Sequence, residues 1–271
     1  TGRYSLELAT WLVEMNGCVK VSIINPAQVS AYHKSLGLRN KTDAVDARVL
    51  AHYGRERNPR VWEPASRELL ELQALSRQRD ALVKILVGER QRAGEPTGWK
   101  AVARIQKEHI RQLKRHIEKI EKRMDEIIDE SEDVKRDVEM LRSIPGVGQK
   151  TAIVVLAELG NLRRFEKSRQ LSAFAGLSPR HHSSGSSIRK KTRLCKQGNG
   201  RVRSALYMAA LSIIRRNNEF GYYYAKLVES GKEKRCAIGA VMRKMLVVMR
   251  ALLRSGTYYQ RGHQGWLREC A

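Results

Sequence analysis

This sequence predicts an α-rich α/β fold in several domains, and three observations predict it. Apolar residues recur at helical spacing over most of the chain, one short stretch near the start alternates like a strand, and the charge is divided sharply by region. At 271 residues the chain is long enough to bury more than one core. Its 52 Lys and Arg against 28 Asp and Glu leave a net charge of +24, well beyond what solubility requires. A polyanion is the expected partner, and nucleic acid is the commonest one. Residues 1–58 carry 8 basic and 5 acidic side chains, residues 59–141 carry 18 and 17, and residues 142–271 carry 26 and 6. The polyanion surface is therefore expected mostly in the last segment.

The elements follow in order. Residues 5–15 have a helical pattern with Gly17 as its C-cap, and residues 18–24 alternate as a strand that Asn25-Pro26 ends. A second helix over 27–36 closes at Gly37, and a third begins after Thr42. Helix, strand, helix, helix is the pattern of part of an α/β domain, here 1–58. From 66 onwards Leu69, Leu72, Leu75, Leu82 and Leu86 mark one long helix, and Gly94-Glu95-Pro96-Thr97-Gly98 breaks it. A further helix carries Leu113, Ile117, Ile120, Met124, Ile127, Val134, Val138 and Leu141 in steps of four and three, with Ser131 filling the gap. That is a coiled-coil seam, so 59–141 is expected to be an antiparallel hairpin that spaces domains or pairs protomers. The basic segment 142–271 is expected to be helical, with helices at about 200–217 (Val202, Leu206, Ala209 and Ile213 inward), 219–230 and 234–254.

Cys18, Cys195, Cys236 and Cys270 show no C-x-x-C spacing, which argues against a zinc site or a disulfide framework and suits a reducing cytosol. No apolar run reaches the length of a membrane helix.

Four stretches carry candidate chemistry. In RNKTDAVDARVLAHYG, Asp43 and Asp46 project side by side at the start of a helix whose inward stripe is Val45, Val49, Leu50 and Tyr53. Acids in a first turn after a Thr N-cap are favoured on any reading, and two neighbouring carboxylates can also share a divalent metal. In LRSIPGVGQKTAIVVLAEL, the helix-hairpin-helix order with Gly146 and Gly148 suits phosphate binding by backbone N–H groups, or a turn whose glycines serve geometry alone. Residues 161–216 hold 14 basic side chains against Glu166, making Arg180, Arg189, Lys190, Lys191, Arg193, Lys196, Arg201 and Arg203 phosphate-contact candidates. Ser183-Ser184-Gly185-Ser186-Ser187 has the composition of a flexible linker. A serine in such positive surroundings could also attack a phosphodiester, with His181 or His182 as an optional base. Of Tyr222, Tyr223 and Tyr224, one or two are expected in the core.

Taken together, KTDAVDARVLA, the helical hairpin, the IPGVG turn, GLSPRHHSSG and KQGNGRVRSALYMAA resemble, in this order, the DEDD-motif transposases of bacterial insertion sequences. These are bridge-RNA-guided recombinases related to the Piv-type DNA invertases. The resemblance implies that 1–58 is part of an RNase H-like (RuvC-like) domain in which Asp43 and Asp46 are the last two of four Mg²⁺ ligands. The other two are then expected upstream of Thr1, which would leave this chain alone inactive or impaired. It implies a nucleophilic Ser184, with Ser183 in reserve, active sites shared between protomers of a dimer or tetramer, and a structured guide RNA that pairs with donor and target DNA. Transposition by Mg²⁺-dependent strand cleavage and exchange is the function so implied. Two other readings stay open: an RNase H-like junction nuclease using water, and a non-catalytic nucleic-acid-binding fragment.

Overall fold

Asn25 shows how local chemistry sets these elements. Its side chain accepts from Ala27 N at 2.9 Å, and Pro26 supplies a fixed φ at the first helical position, so a helix starts there without leaving a donor unmet. The computed structural model describes residues 3–15, 19–40, 42–95, 99–184, 188–195 and 197–262, and the chain divides into two compact units, Thr1–Pro64 and Ala65–Ala271.

The first unit contains α1 (Arg3–Met15), α2 (Pro26–Ser35) and α3 (Asp43–Arg57). Tyr32 joins α2 to α3: its hydroxyl donates to Glu56 and lies 2.5 Å from His52 Nδ1, while Tyr53 meets its ring edge-on at 5.2 Å. Gly37 adopts φ 69°, closing α2 in a conformation that glycine reaches at little cost. The strand expected over 18–24 is not formed among the described residues. Trp62 N donates to Val21 O at 2.7 Å, but no second strand runs alongside to extend that bond into a ladder. Gly17, the expected cap of α1, lies outside the described residues. Val49 is buried as expected, whereas Leu50 is 48% exposed, so the inward face of α3 is narrower than its apolar content suggests.

In the second unit α4 (Arg67–Gly94) and α5 (Lys100–Glu130) form the expected hairpin. Leu86 packs with Leu113 and Ile117 at one level, and Leu72 lies with Met124 and Ile127 at another, which fixes the antiparallel sense. The seam does not run through to Leu141 in one helix. Ser131 (φ −122°, ψ 105°) ends α5, and its side chain caps α6 (Glu132–Arg142) by accepting from Val134 N. A serine hydroxyl competes with the helical backbone for hydrogen bonds, so a polar residue in the seam became a break.

Beyond α6 come α7 (Gln149–Leu159), a 3₁₀ turn (Leu162–Arg164), α8 (Ser168–Phe174), the antiparallel pair β1 (Pro179–Ser184) and β2 (Ile188–Leu194), α9 (Gly200–Ile213), α10 (Glu219–Glu229) and α11 (Lys234–Ser255). One core spans these helices and the base of the hairpin, from Leu72 and Ile127 through Leu141, Leu156 and Leu206 to Met245 and Leu252. Val202, Leu206, Ala209 and Ile213 all point into it, as their spacing requires. Tyr223 and Tyr224 pack against this core, while Tyr222 is 65% exposed. Polar ties reinforce it. Arg163 makes two bonds to Asp137 at 2.6 and 2.7 Å and a third to Leu253 O at 2.7 Å, joining α6 to the end of α11.

Candidate functional site

Three places hold the residues that the sequence singles out. The first is the start of α3. Thr42 caps it: Oγ1 accepts from Val45 N at 3.3 Å and the carbonyl accepts from Asp46 N at 2.9 Å, which sets Asp43 and Asp46 in the first turn. Asp43 is exposed and Asp46 half-buried, and neither takes an ion-pair partner among the described residues. Among those residues no group of three or more His, Cys, Asp or Glu is placed to hold a metal. Two carboxylates one helical turn apart match in kind the donors of a magnesium ion, which is commonly held by one or two carboxylates with waters and substrate phosphates completing the octahedron.

The second place is the β1–β2 hairpin. Ser184 is the last residue of β1 and pairs with Ile188, Ser183 stands opposite Arg189, His182 opposite Lys190, and Arg180 opposite Arg193. The register shifts between Arg180 and His182, so β2 carries a bulge around Lys191. Gly185, Ser186, Ser187 and Lys196 lie outside the described residues. The expectation of loop composition is corrected for the described residues: Ser183 and Ser184 end β1 and Ile188 begins β2.

The third place joins the two glycine-bearing motifs of the basic region. A Cβ on Gly198 would come within 2.4 Å of Gly176 N and 2.5 Å of Phe174 O, so the GLSP and KQGNG segments touch backbone to backbone. Asn199 N donates to Phe174 O at 3.2 Å and Cys195 N to Ser178 O at 2.9 Å, closing this contact at the root of the hairpin. Asn199 then caps α9, accepting from the N–H groups of Arg201 and Val202.

The expected phosphate contacts distribute unevenly. Arg201 is held inside the protein: its Nη2 lies 2.8 Å from Asp80 and donates to Ser76 at 3.0 Å, and its Nε lies 2.9 Å from Glu158. Arg203 donates to Ala175 O at 3.3 Å and lies over Gly176. Gly146 (φ 82°) is pressed against α9, where a Cβ would meet Ile213 Cβ at 3.1 Å and Ala209 O at 3.2 Å, whereas Gly148 caps α7 and faces open space. Arg180, Arg189, Lys190, Lys191 and Arg193 all belong to the hairpin strands.

Sequence reasoning missed Glu158. This buried carboxylate accepts two bonds from Arg77 at 2.9 Å and one from Asn199 at 2.8 Å, tying α4, α7 and the start of α9 together. Burial pushes its pKa up, but the bonds from Arg77 and Asn199 and the charges of Arg77 and Arg201 outweigh that and hold it below the usual glutamate value. The available signal was an acid in the apolar run AIVVLAEL, which demands a buried partner.

Comparison with known proteins accounts for these motifs. Residues 1–94 match the model of the DEDD-type IS110 transposases, and residues 138–225 that of the IS116/IS110/IS902 transposase family. The pilin gene-inverting protein of Moraxella bovis is 35% identical over 255 residues, covering 94% of this chain and 78% of that protein. The chain belongs to the IS110/IS116 transposase family. Its relatives in that family include the pilin gene-inverting protein of Moraxella lacunata, with the same identity and coverage. The IS1111A transposase of Coxiella burnetii is 29% identical over 274 residues, 89% of this chain and 73% of that protein. Membership makes DNA recombination the activity class, an enzyme of transposase type the kind of protein, and DNA the partner. None of this transposase's described helices is long and apolar enough to cross a membrane.

Proposed function

We propose that this transposase cuts and rejoins DNA through a phosphoserine intermediate on Ser184, with Mg²⁺ held in part by Asp43 and Asp46 and with a guide RNA selecting the DNA. The observation that supports the metal assignment is the pair of carboxylates, Asp43 exposed and Asp46 half-buried, in the first turn of α3, inside the stretch that matches the DEDD-type transposases. The working segments are an RNase H-like (RuvC-like) portion at 1–58, the hairpin at 59–141 and a basic transposase domain at 142–271 with a helix-hairpin-helix turn.

In the cleavage step the Ser184 hydroxyl loses its proton as Oγ forms a bond to phosphorus. The bond from phosphorus to a deoxyribose oxygen breaks, and that oxygen takes up a proton. One phosphoester replaces another, so the attack of a second strand's hydroxyl can reverse the step without an energy source. Asp43 and Asp46 would hold Mg²⁺, which when bound would supply charge neutralisation at a phosphate. Arg189, Lys190, Lys191 and Arg193 follow Ser184 closely in the chain, which supports a role beside the same phosphate. The open N-terminus of α7 after Gly148 offers unpaired N–H groups to a neighbouring backbone phosphate. A dimer or tetramer would let protomers share active sites.

The test is a labelled DNA substrate with guide RNA and Mg²⁺, run on denaturing gels with and without protease. The full-length protein should yield a protease-sensitive DNA adduct. Ser184→Ala should remove it and spare nucleic-acid binding, with Ser183→Ala milder. Asp43→Asn and Asp46→Asn should each stop cleavage and leave RNA binding nearly intact. An adduct that survives Ser184→Ala excludes that serine, and Mg²⁺-dependent cleavage with no adduct assigns water as the nucleophile.

A further inference from the structure

The near-neutral balance of the hairpin conceals a segregation along its length. Residues 84–115, its distal half, carry 9 basic and 3 acidic side chains, whereas residues 116–141 carry 5 and 10. On α5 the cations Lys100, Arg104, Lys107, Arg111 and Lys114 recur in steps of four and three, with Arg115 next to the last, all within a sector of roughly 100° of the helix surface. All six are exposed, and none takes part in an ion pair with the described residues. Glu108 is the one acid at the edge of this stripe. The apolar seam of Ile110, Leu113 and Ile117 faces α4 on another side of the helix, so the stripe is directed outward.

Further along the same face acids predominate, with Glu118, Glu121, Asp125 and Asp129 against Lys122. A second copy of the chain could in principle lay its acids on these cations, but those acids are largely engaged already. Glu121 lies 2.7 Å from both Arg79 and Lys150, Asp125 accepts from Gln149 at 2.6 Å, and Asp129 lies 3.1 Å from Lys135. Glu89 pairs with Arg92 and His109, but the six stripe cations have no such partner among the described residues, so their complement is external. Residues 100–115 contain no Phe, Trp or Tyr. Trp99, 75% exposed at the head of α5, is a single ring, so the stripe lacks the series of stacking platforms that single-stranded nucleic acid uses. A straight row of cations on a rigid helix matches instead the regular phosphates of a duplex.

We propose that the outward face of the distal hairpin is a contact surface for the backbone of duplex DNA, separate from the basic C-terminal region. The stripe spans about 22 Å, at 1.5 Å per residue. That length lies beside roughly six base pairs of a duplex. Such contacts position DNA and carry no sequence information. The inference rests on this family acting on DNA, and it needs no assumption about serine, metal or guide RNA.

The test is duplex DNA binding by the full chain as a function of salt. The variant is Lys100→Gln/Arg104→Gln/Lys107→Gln/Arg111→Gln, whose exposed positions accept a good helix former. Each phosphate that a side chain ceases to neutralise lowers the slope of log K against log salt by about one. The slope should therefore become shallower by about three to four, and affinity at low salt should fall tenfold or more. The control Lys119→Gln/Lys122→Gln/Lys135→Gln/Arg136→Gln removes the same charge from the acidic half and should change the slope by less than one. Circular dichroism keeps both variants comparable in fold. An unchanged slope in the first variant overturns the proposal, as does an equal fall in the control. An equal loss for single strands, or a loss confined to duplex RNA, also overturns it. A lower sedimentation mass with an unchanged slope would give the stripe to a second copy instead. Because cleavage is not measured, failure here leaves the phosphoserine reading standing, and the reverse holds too.

Discussion

Replacing Glu158 with Gln should destabilise the second unit by about 2–4 kcal/mol. The carboxylate is almost wholly shielded, with 2% of its side chain exposed, yet its partner Arg77 is 54% exposed and Arg201 28% exposed. Removing one member of a fully buried pair costs roughly 3–5 kcal/mol. The solvated outer side of Arg77 screens part of that, which sets the lower figure. For a unit spanning Ala65–Ala271 this corresponds to a fall in Tm of about 4–16 °C. The pH dependence has a definite sign. Glu158's pKa is held below its ordinary value, so its contribution is complete above the unfolded glutamate pKa of 4.5 and is lost as pH falls through the lower folded value. Thermal melts of the wild type and Glu158→Gln should therefore differ fully at pH 7 and converge towards pH 3. A Tm difference under 2 °C at pH 7, or one that widens on acidification, would refute this account of the tie between α4, α7 and α9.

The other predictions are simpler. Ser131→Ala removes the cap of α6 and should cost about 1 kcal/mol by chemical denaturation, with no change in helix content below the transition. Gly198→Ala puts a methyl 2.4 Å from Gly176 N and 2.8 Å from Ala175 C, where only backbone could yield; a loss of about 3 kcal/mol or more, or insoluble protein, is expected. Asp137→Asn removes the charge and one of the two acceptor oxygens that face Arg163 in a partly buried pair, so a loss of about 1–2 kcal/mol should appear in denaturant melts.

How far the sequence reveals this molecule depends on whether the partner of a residue is close in the chain. The cap at Thr42, and the inward face of α9 at Val202, Leu206, Ala209 and Ile213, follow from spacing alone because a helix's partners lie within one turn. Strands obey no such rule. The alternation over 18–24 suggested one and no ladder forms among the described residues, while β1 and β2 arise in a Ser, His and Arg stretch that reads as loop, because pairing between the two segments decides the matter. Ser131 fitted the heptad and broke it. Among the site residues, Asp43 and Asp46 stand where the sequence put them, at the start of α3, whereas Arg201 looked like one more cation in a basic run. What sets it apart is Glu158, a residue distant in sequence and adjacent only after folding.

The base of the hairpin shares its core with the helices that follow it, through Leu72, Met124 and Ile127 on one side and Leu141, Leu156 and Met245 on the other. Gln73 and Arg77 bind α7 at the same level. A rod rooted in this way cannot swivel on a hinge; it is a strut. With 31 residues in α5, the strut reaches about 46 Å from end to end. Whatever rests on its far half is held at a distance set by helix length alone, so adding or deleting whole heptads would lengthen or shorten that reach like the arm of a gauge while leaving the root undisturbed.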